Sequence, residues 1–237
     1  MALIAGAINA GGFLAVQRYT SHMTGVISGM ADDLIVNDIK LVLAGAAALL
    51  VFIFGAATTA IFINWARRLK LHSEYALSLA LEAALLLVFG LLGANLNLLI
   101  DVFVPTTVLL LCYIMGLQNA IMTKVSKAEI RTTHMTGIVT DIGIELGRLM
   151  YWNKSKNLPP DQDVRANRKK LKIHLSIFIS FLSGGILGAI AFKEIGYFTT
   201  VPIACFLLLI VSPPIWKDSI FLTSKRGNQY AGNVKKQ

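Results

Sequence analysis

The residues best suited to chemistry in this chain occur twice. Thr20-Ser21-His22-Met23-Thr24-Gly25-Val26-Ile27-Ser28 is matched by Thr132-Thr133-His134-Met135-Thr136-Gly137-Ile138-Val139-Thr140, so each copy joins an imidazole to hydroxyls and a glycine. Histidine titrates near neutral pH, and His22 and His134 facing one cavity could couple transport to protons. A histidine that only makes hydrogen bonds at a membrane interface is the plainer alternative. Two histidines without a third ligand at fixed spacing make a poor metal site, and neither metal nor cofactor is expected. Thr24 and Thr136, or the preceding Thr20 and Thr132, are candidate helix N-caps, and Gly25 and Gly137 permit close backbone approach. Asn9 and Asn119 lie in mid-helix, where an amide must pair with a neighbouring helix or contact a solute or ion. Asp141 completes the candidate pathway residues. It shares a helix face with Glu145, for which a local pair with Arg148 is a simpler expectation than catalysis. Asp33 aligns with Glu145 in the other copy, and Glu82, near the start of an apolar run, reads as interfacial.

These groups must be positioned by apolar elements. The 237 residues are 55% hydrophobic and 15% charged, with a mean hydropathy of +0.65. Soluble domains carry about 25% charge, so a water-soluble enzyme is excluded and an integral membrane protein is expected. Apolar stretches fall at about 2–16, 41–63, 76–100, 104–123, 173–192 and 197–216, and all but the first reach the roughly 20 residues a crossing needs. The first has no basic n-region or cleavage site and reads as retained rather than as a signal peptide. Two shorter polar stretches, 24–36 and 134–151, hold too many ionisable groups to cross lipid alone; each reads as a re-entrant or half helix inside the bundle. Cys112 and Cys205 lie in apolar runs and read as small buried hydrophobes.

Further matches make the repeat general. Gly6-Ala7-Ile8-Asn9-Ala10 matches Gly116-Leu117-Gln118-Asn119-Ala120, and Phe52, Gly55, Ala56 and Ala60 pair with Phe181, Gly184, Gly185 and Ala189. The expected fold is therefore an all-α polytopic helical bundle, a single membrane domain over 1–237. It divides into repeat 1 (about 1–100), repeat 2 (about 103–216) and a tail (217–237), each repeat holding three spans and a short helix. Gly184 with Gly188, and Gly55 with Thr59, are small-residue faces for tight helix contact.

Charge orients the halves. If the short helices do not cross, nineteen of the 22 Lys and Arg fall on one side, leaving Arg18, Lys40 and Lys193 opposite. The positive-inside rule favours that arrangement over eight crossings, and an odd number of spans per half inverts the repeats. Both termini are then cytoplasmic. The net charge of +9 and the basic run Arg165–Lys172 become signals for orientation and anionic lipid rather than for nucleic acid.

The same motifs resemble the bacterial membrane family called YoaK or DUF1275, whose pattern has G-x-x-D-A, F-L and T-G-N, then G-L-Q-N-A and R-T-T-x-x-T-G. Gly6, Ala10, Phe13, Leu14, Thr24 and Gly25 fit the first part; Gly116 to Ala120, Arg131, Thr132, Thr133, Thr136 and Gly137 fit the second. The resemblance covers essentially the whole chain and implies a fold without a substrate. Asn9 stands where the pattern has Asp, and Val26 where it has Asn, so any coupling that used that Asp is lost or altered here.

The expectation is a bacterial inner-membrane permease or channel for an unknown small solute, acting between the two THMTG helices. The rival is a non-transporting scaffold or partner subunit, and the reading admits a homo-oligomer. No phosphate loop, nucleophile elbow, HExxH or CxxC occurs, so no enzyme is expected.

Overall fold

The computed structural model describes residues 1–16, 20–71, 73–94, 100–125, 135–151 and 165–234. The regular elements among them are α1 (Ala2–Val16), α2 (Met23–Ile35), α3 (Ile39–Leu69), α4 (Ala76–Ala94), α5 (Ile100–Val125), α6 (Met135–Met150), α7 (Arg168–Ile195) and α8 (Thr200–Val234), with a 3-10 turn at Gly196–Thr199. α3, α4, the Pro105–Val125 part of α5 and the stretch Arg168–Asp218 are long and apolar enough to cross a membrane, and Ala2–Phe13 is apolar but shorter. In hydrocarbon every backbone amide must be satisfied within its own element, which favours helices throughout such runs. The chain is thus an all-α, multi-pass membrane bundle.

The long helices start and stop on local signals. Asp38 caps α3, its Oδ1 accepting from Leu41 N at 3.2 Å, and Asn167 caps α7, its Oδ1 accepting from Lys170 N at 3.0 Å. Each short polar helix leads into one of these capped helices. α3 ends on Lys70 in the left-handed conformation (φ 57°), and α7 ends on Gly196 (φ 60°), a position where glycine avoids the Cβ penalty.

Two close crossings organise the bundle. α1 packs along α7 and α5 along α3. A Cβ on Gly6 would overlap the Phe181 carbonyl, and one on Gly184 the Leu3 carbonyl. In the other pair a Cβ on Gly116 would overlap the Phe52 carbonyl, and one on Gly55 the Tyr113 carbonyl. The two crossings therefore use the positions that the sequence matches: Gly6 with Gly116, Phe52 with Phe181, Gly55 with Gly184. Backbone-to-backbone contact of this kind replaces the hydrophobic effect as the source of cohesion where the solvent is lipid. Thr59 on the small face of α3 adds a bond from its Oγ1 to the Leu117 carbonyl at 3.2 Å.

Between the crossings lies a core containing Ile8, Leu86, Phe89, Leu111, Ile114, Met115 and Leu207. Phe89, Phe192 and Tyr197 close one end of it, with ring centroids 5.6–6.4 Å apart. Large apolar side chains such as Phe54, Leu209 and Trp216 are exposed on the periphery, as a lipid-facing surface requires. Cys112 is buried as expected, but Cys205 is exposed: it sits on an outer face of α8, where lipid provides an apolar surrounding without burial.

Candidate functional site

The first THMTG segment opens a cavity. α2 runs back along α3, with Asp33 O accepting from Asp38 N at 2.9 Å near the junction, while its first turn reaches the level of Ala48 and Cys112. Thr20, His22, Gly25, Asp33 and Met30 line a cavity of about 710 Å³ with Ala44, Ala47, Ala48, Pro105 and Cys112. α2 has no side-chain cap from threonine. Its N-cap is His22, which makes no capping bond; the helix starts between the two candidate caps, leaving Thr20 in the preceding turn and Thr24 inside the helix and exposed. The His22 ring lies over Gly25, where a Cβ would overlap its Cδ2. Asn9 joins this region through Ser21, whose Oγ donates to Asn9 Oδ1 at 2.7 Å.

A second cavity, about 900 Å³, opens at the opposite end of the bundle. Met1, Ala2, Tyr75, Leu79, Ile121, Lys172, Ile173, Ser176, Ile177 and Pro214 are among the residues that line it. Continuing the sequence matches outward pairs Ala44, Ala47, Ala48 and Cys112 of the first cavity with Ile173, Ser176, Ile177 and Ala2 of the second. Both volumes fall within the roughly 300–1,000 Å³ typical of small-molecule sites.

The second short helix is anchored by charge. Glu145 is buried; its Oε1 accepts from Arg148 Nη1 at 2.9 Å and its Oε2 from Asn167 N at 2.7 Å, so the expected local pair also locks α6 onto the start of α7. Asp141 faces α7 as well, 3.3 Å from Lys170 Nζ and 3.8 Å from Nε2 of the buried His174. In the first half the matching residues are Gly29, Leu41 and Gly45, and Met30 lies over Gly45 instead. One contact is thus made by thioether on glycine in one half and by a carboxylate with two bases in the other. Thr136 and Gly137 are exposed in the first turn of α6, and His134 lies outside the described residues. Asn119 is half-buried on α5, its carbonyl accepting from Thr123 Oγ1 at 2.8 Å. Among the described residues no three His, Cys, Asp or Glu side chains converge for a metal ion.

One polar cluster was not anticipated. Glu82 is fully buried, and Gln118 Nε2 donates to its Oε1 at 2.9 Å. Ser78, one turn before Glu82 on the same face of α4, is fully buried too. The signal for this cluster was a serine and a carboxyl spaced i, i+4 in an apolar run, together with the polar centre of the GLQNA motif.

A family described as "Protein of unknown function (DUF1275)" matches over residues 1–212. No curated protein and no solved structure matches.

Proposed function

The chain belongs to the DUF1275 family, and from that premise we propose that it is an inner-membrane permease for a small solute, built from two inverted repeats of three spans and a half helix each. The observation that carries this reading is the pair of cavities at opposite ends of the bundle, which share four matched lining positions, although α2 lines the first and no residue of α6 is among those lining the second. Membrane scaffolds gain nothing from two such openings, because interiors otherwise pack to crystal-like density. Cavities at opposite ends of a bundle, alternately connected to a central site, are what rocking of one repeat against the other requires.

Charge supports the inversion. Arg67, Arg68, Lys70, Lys124, Lys172 and Lys217 accompany the second cavity, where Tyr75 donates to the Lys124 carbonyl and Asp218 accepts from Ser73 N. Lys40 and Lys193 lie toward the first. The positive-inside rule then makes the second cavity cytoplasmic and sets its rim against anionic lipid. Asn9, His22, Thr24 and Gly25, with Asn119, His134, Thr136 and Gly137, are the residues assigned to the pathway, and the α2 N-terminus contributes a partial positive charge at its inner end. Asp141 is assigned the docking of α6 rather than solute contact.

Purified protein reconstituted in liposomes and offered a panel of labelled small solutes tests the reading. Uptake of at least one solute above empty liposomes is expected, falling to background in Ala48→Trp, which fills the first cavity, and reduced in His22→Ala/His134→Ala. A panel with no uptake would contradict the permease, and unchanged uptake in the folded double variant would remove the histidines from the pathway.

A further inference from the structure

We propose that Glu82 is a proton-binding site, with Gln118 as its positioning partner, and that it supplies the coupling ion of the permease; this rests on the reading above only for the word coupling. Hydrogen-bond accounting leads to it. Glu82 Oε2, Gln118 Oε1 and Ser78 Oγ are all buried, and none of them has a hydrogen-bond partner among the described residues. Carboxylate and amide oxygens only accept, so the cluster holds two unpaired acceptors, against which its own side chains can set only the serine hydroxyl and the second N–H of the Gln118 amide. A native interior seldom tolerates this, since a buried polar atom without a partner keeps the full cost of leaving water. One proton resolves it. Bound to Glu82 Oε2, it forms an O–H bond that donates within the cluster, while Gln118 Nε2 keeps its bond to Oε1; the carboxylate becomes a carboxylic acid and no electron is transferred.

The placement suits exchange with water. Leu79 and Ile121, one helical turn from Glu82 and Gln118, line the second cavity. The neighbouring helix that faces the carboxyl is α5, through the Gln118 amide. The cluster also has no structural necessity. The residue matched to Gln118 in the first half is Ile8, which packs at the same point of its helix as a buried hydrocarbon. A polar group kept in one half only, where an isoleucine serves the other, is retained for something besides packing.

Infrared difference spectroscopy of the full chain in lipid vesicles, titrated over the pH range in which it stays folded, tests this without a known solute. The expected result is a carboxylic-acid C=O band that titrates, shifts in D₂O, shifts again in Gln118→Leu, and disappears in Glu82→Gln. If Glu82→Gln does not fold, the Gln118→Leu shift alone makes the assignment. No titrating acid band, a band indifferent to both variants, or a band displaced by Na⁺ in place of K⁺ would overturn the proton site. The two readings fail separately: a titrating Glu82 band without uptake of any solute contradicts the permease, whereas uptake without such a band contradicts the proton site.

Discussion

Alanine at Gly184 or at Gly55 destabilises the protein by about 1–3 kcal/mol, whereas alanine at Gly143 stabilises it. The opposite signs follow from what each new methyl meets. At Gly184 it runs into the Leu3 carbonyl, with the Leu3 carbonyl carbon at 2.7 Å and Cα at 2.8 Å. Gly55 presents the same obstacle in the Tyr113 carbonyl, with Leu117 N at 3.1 Å. These are backbone atoms in helices, which cannot rotate aside as a side chain does, so the crossing itself must open. The loss should be similar in the two variants because the two positions match in sequence and meet equivalent partners. Gly143 has nothing within 4 Å, so alanine there gains only the helix propensity that glycine lacks, about 0.8–1.0 kcal/mol. Thermal unfolding in detergent, followed by size-exclusion recovery, reads all three. Equal tolerance at the three sites would refute the packed crossings.

The second large effect concerns Gln118. Gln118→Leu should cost about 1–3 kcal/mol if the carboxyl it abandons is neutral, and about 3–5 kcal/mol if charged, because Glu82 then loses its one observed bond while fully buried. Adding Glu82→Leu should restore most of that loss, since removing both partners leaves no stranded group. A double-mutant cycle on thermal stability measures the coupling, and additive losses would show that the pair does not interact. Ile8, buried at the matched position of the first half, gives the precedent for an apolar solution.

Much of this was legible in the sequence, for identifiable reasons. The short helices read at 24–36 and 134–151 appear at Met23–Ile35 and Met135–Met150, because their acidic residues and flanking small residues interrupt otherwise continuous apolar runs. The glycine crossings were foreshadowed by Gly55, Thr59, Gly184 and Gly188, whose spacing places them on one helix face. Burial was harder to read. In lipid the outer face of a helix is as apolar as its inner face, so nothing in the run around Cys205 marked it as exposed, and nothing in the run around Glu82 marked it as buried. The partner that buries Glu82 lies on α5, and no local pattern links the two. His22 as N-cap was missed because the turn that precedes α2, rather than capping propensity, fixes where the helix begins.

If the repeats are inverted, the two cavities open to opposite sides of the membrane. Thiol accessibility tests it most directly, in oriented membrane vesicles and with Cys112 and Cys205 replaced by alanine. A membrane-impermeant thiol reagent should label Ser176→Cys only from the side that labels Lys70→Cys, and Ala47→Cys only from the side that labels Lys40→Cys. Labelling of Ser176→Cys and Ala47→Cys from the same side, with both variants folded, would contradict the inverted arrangement.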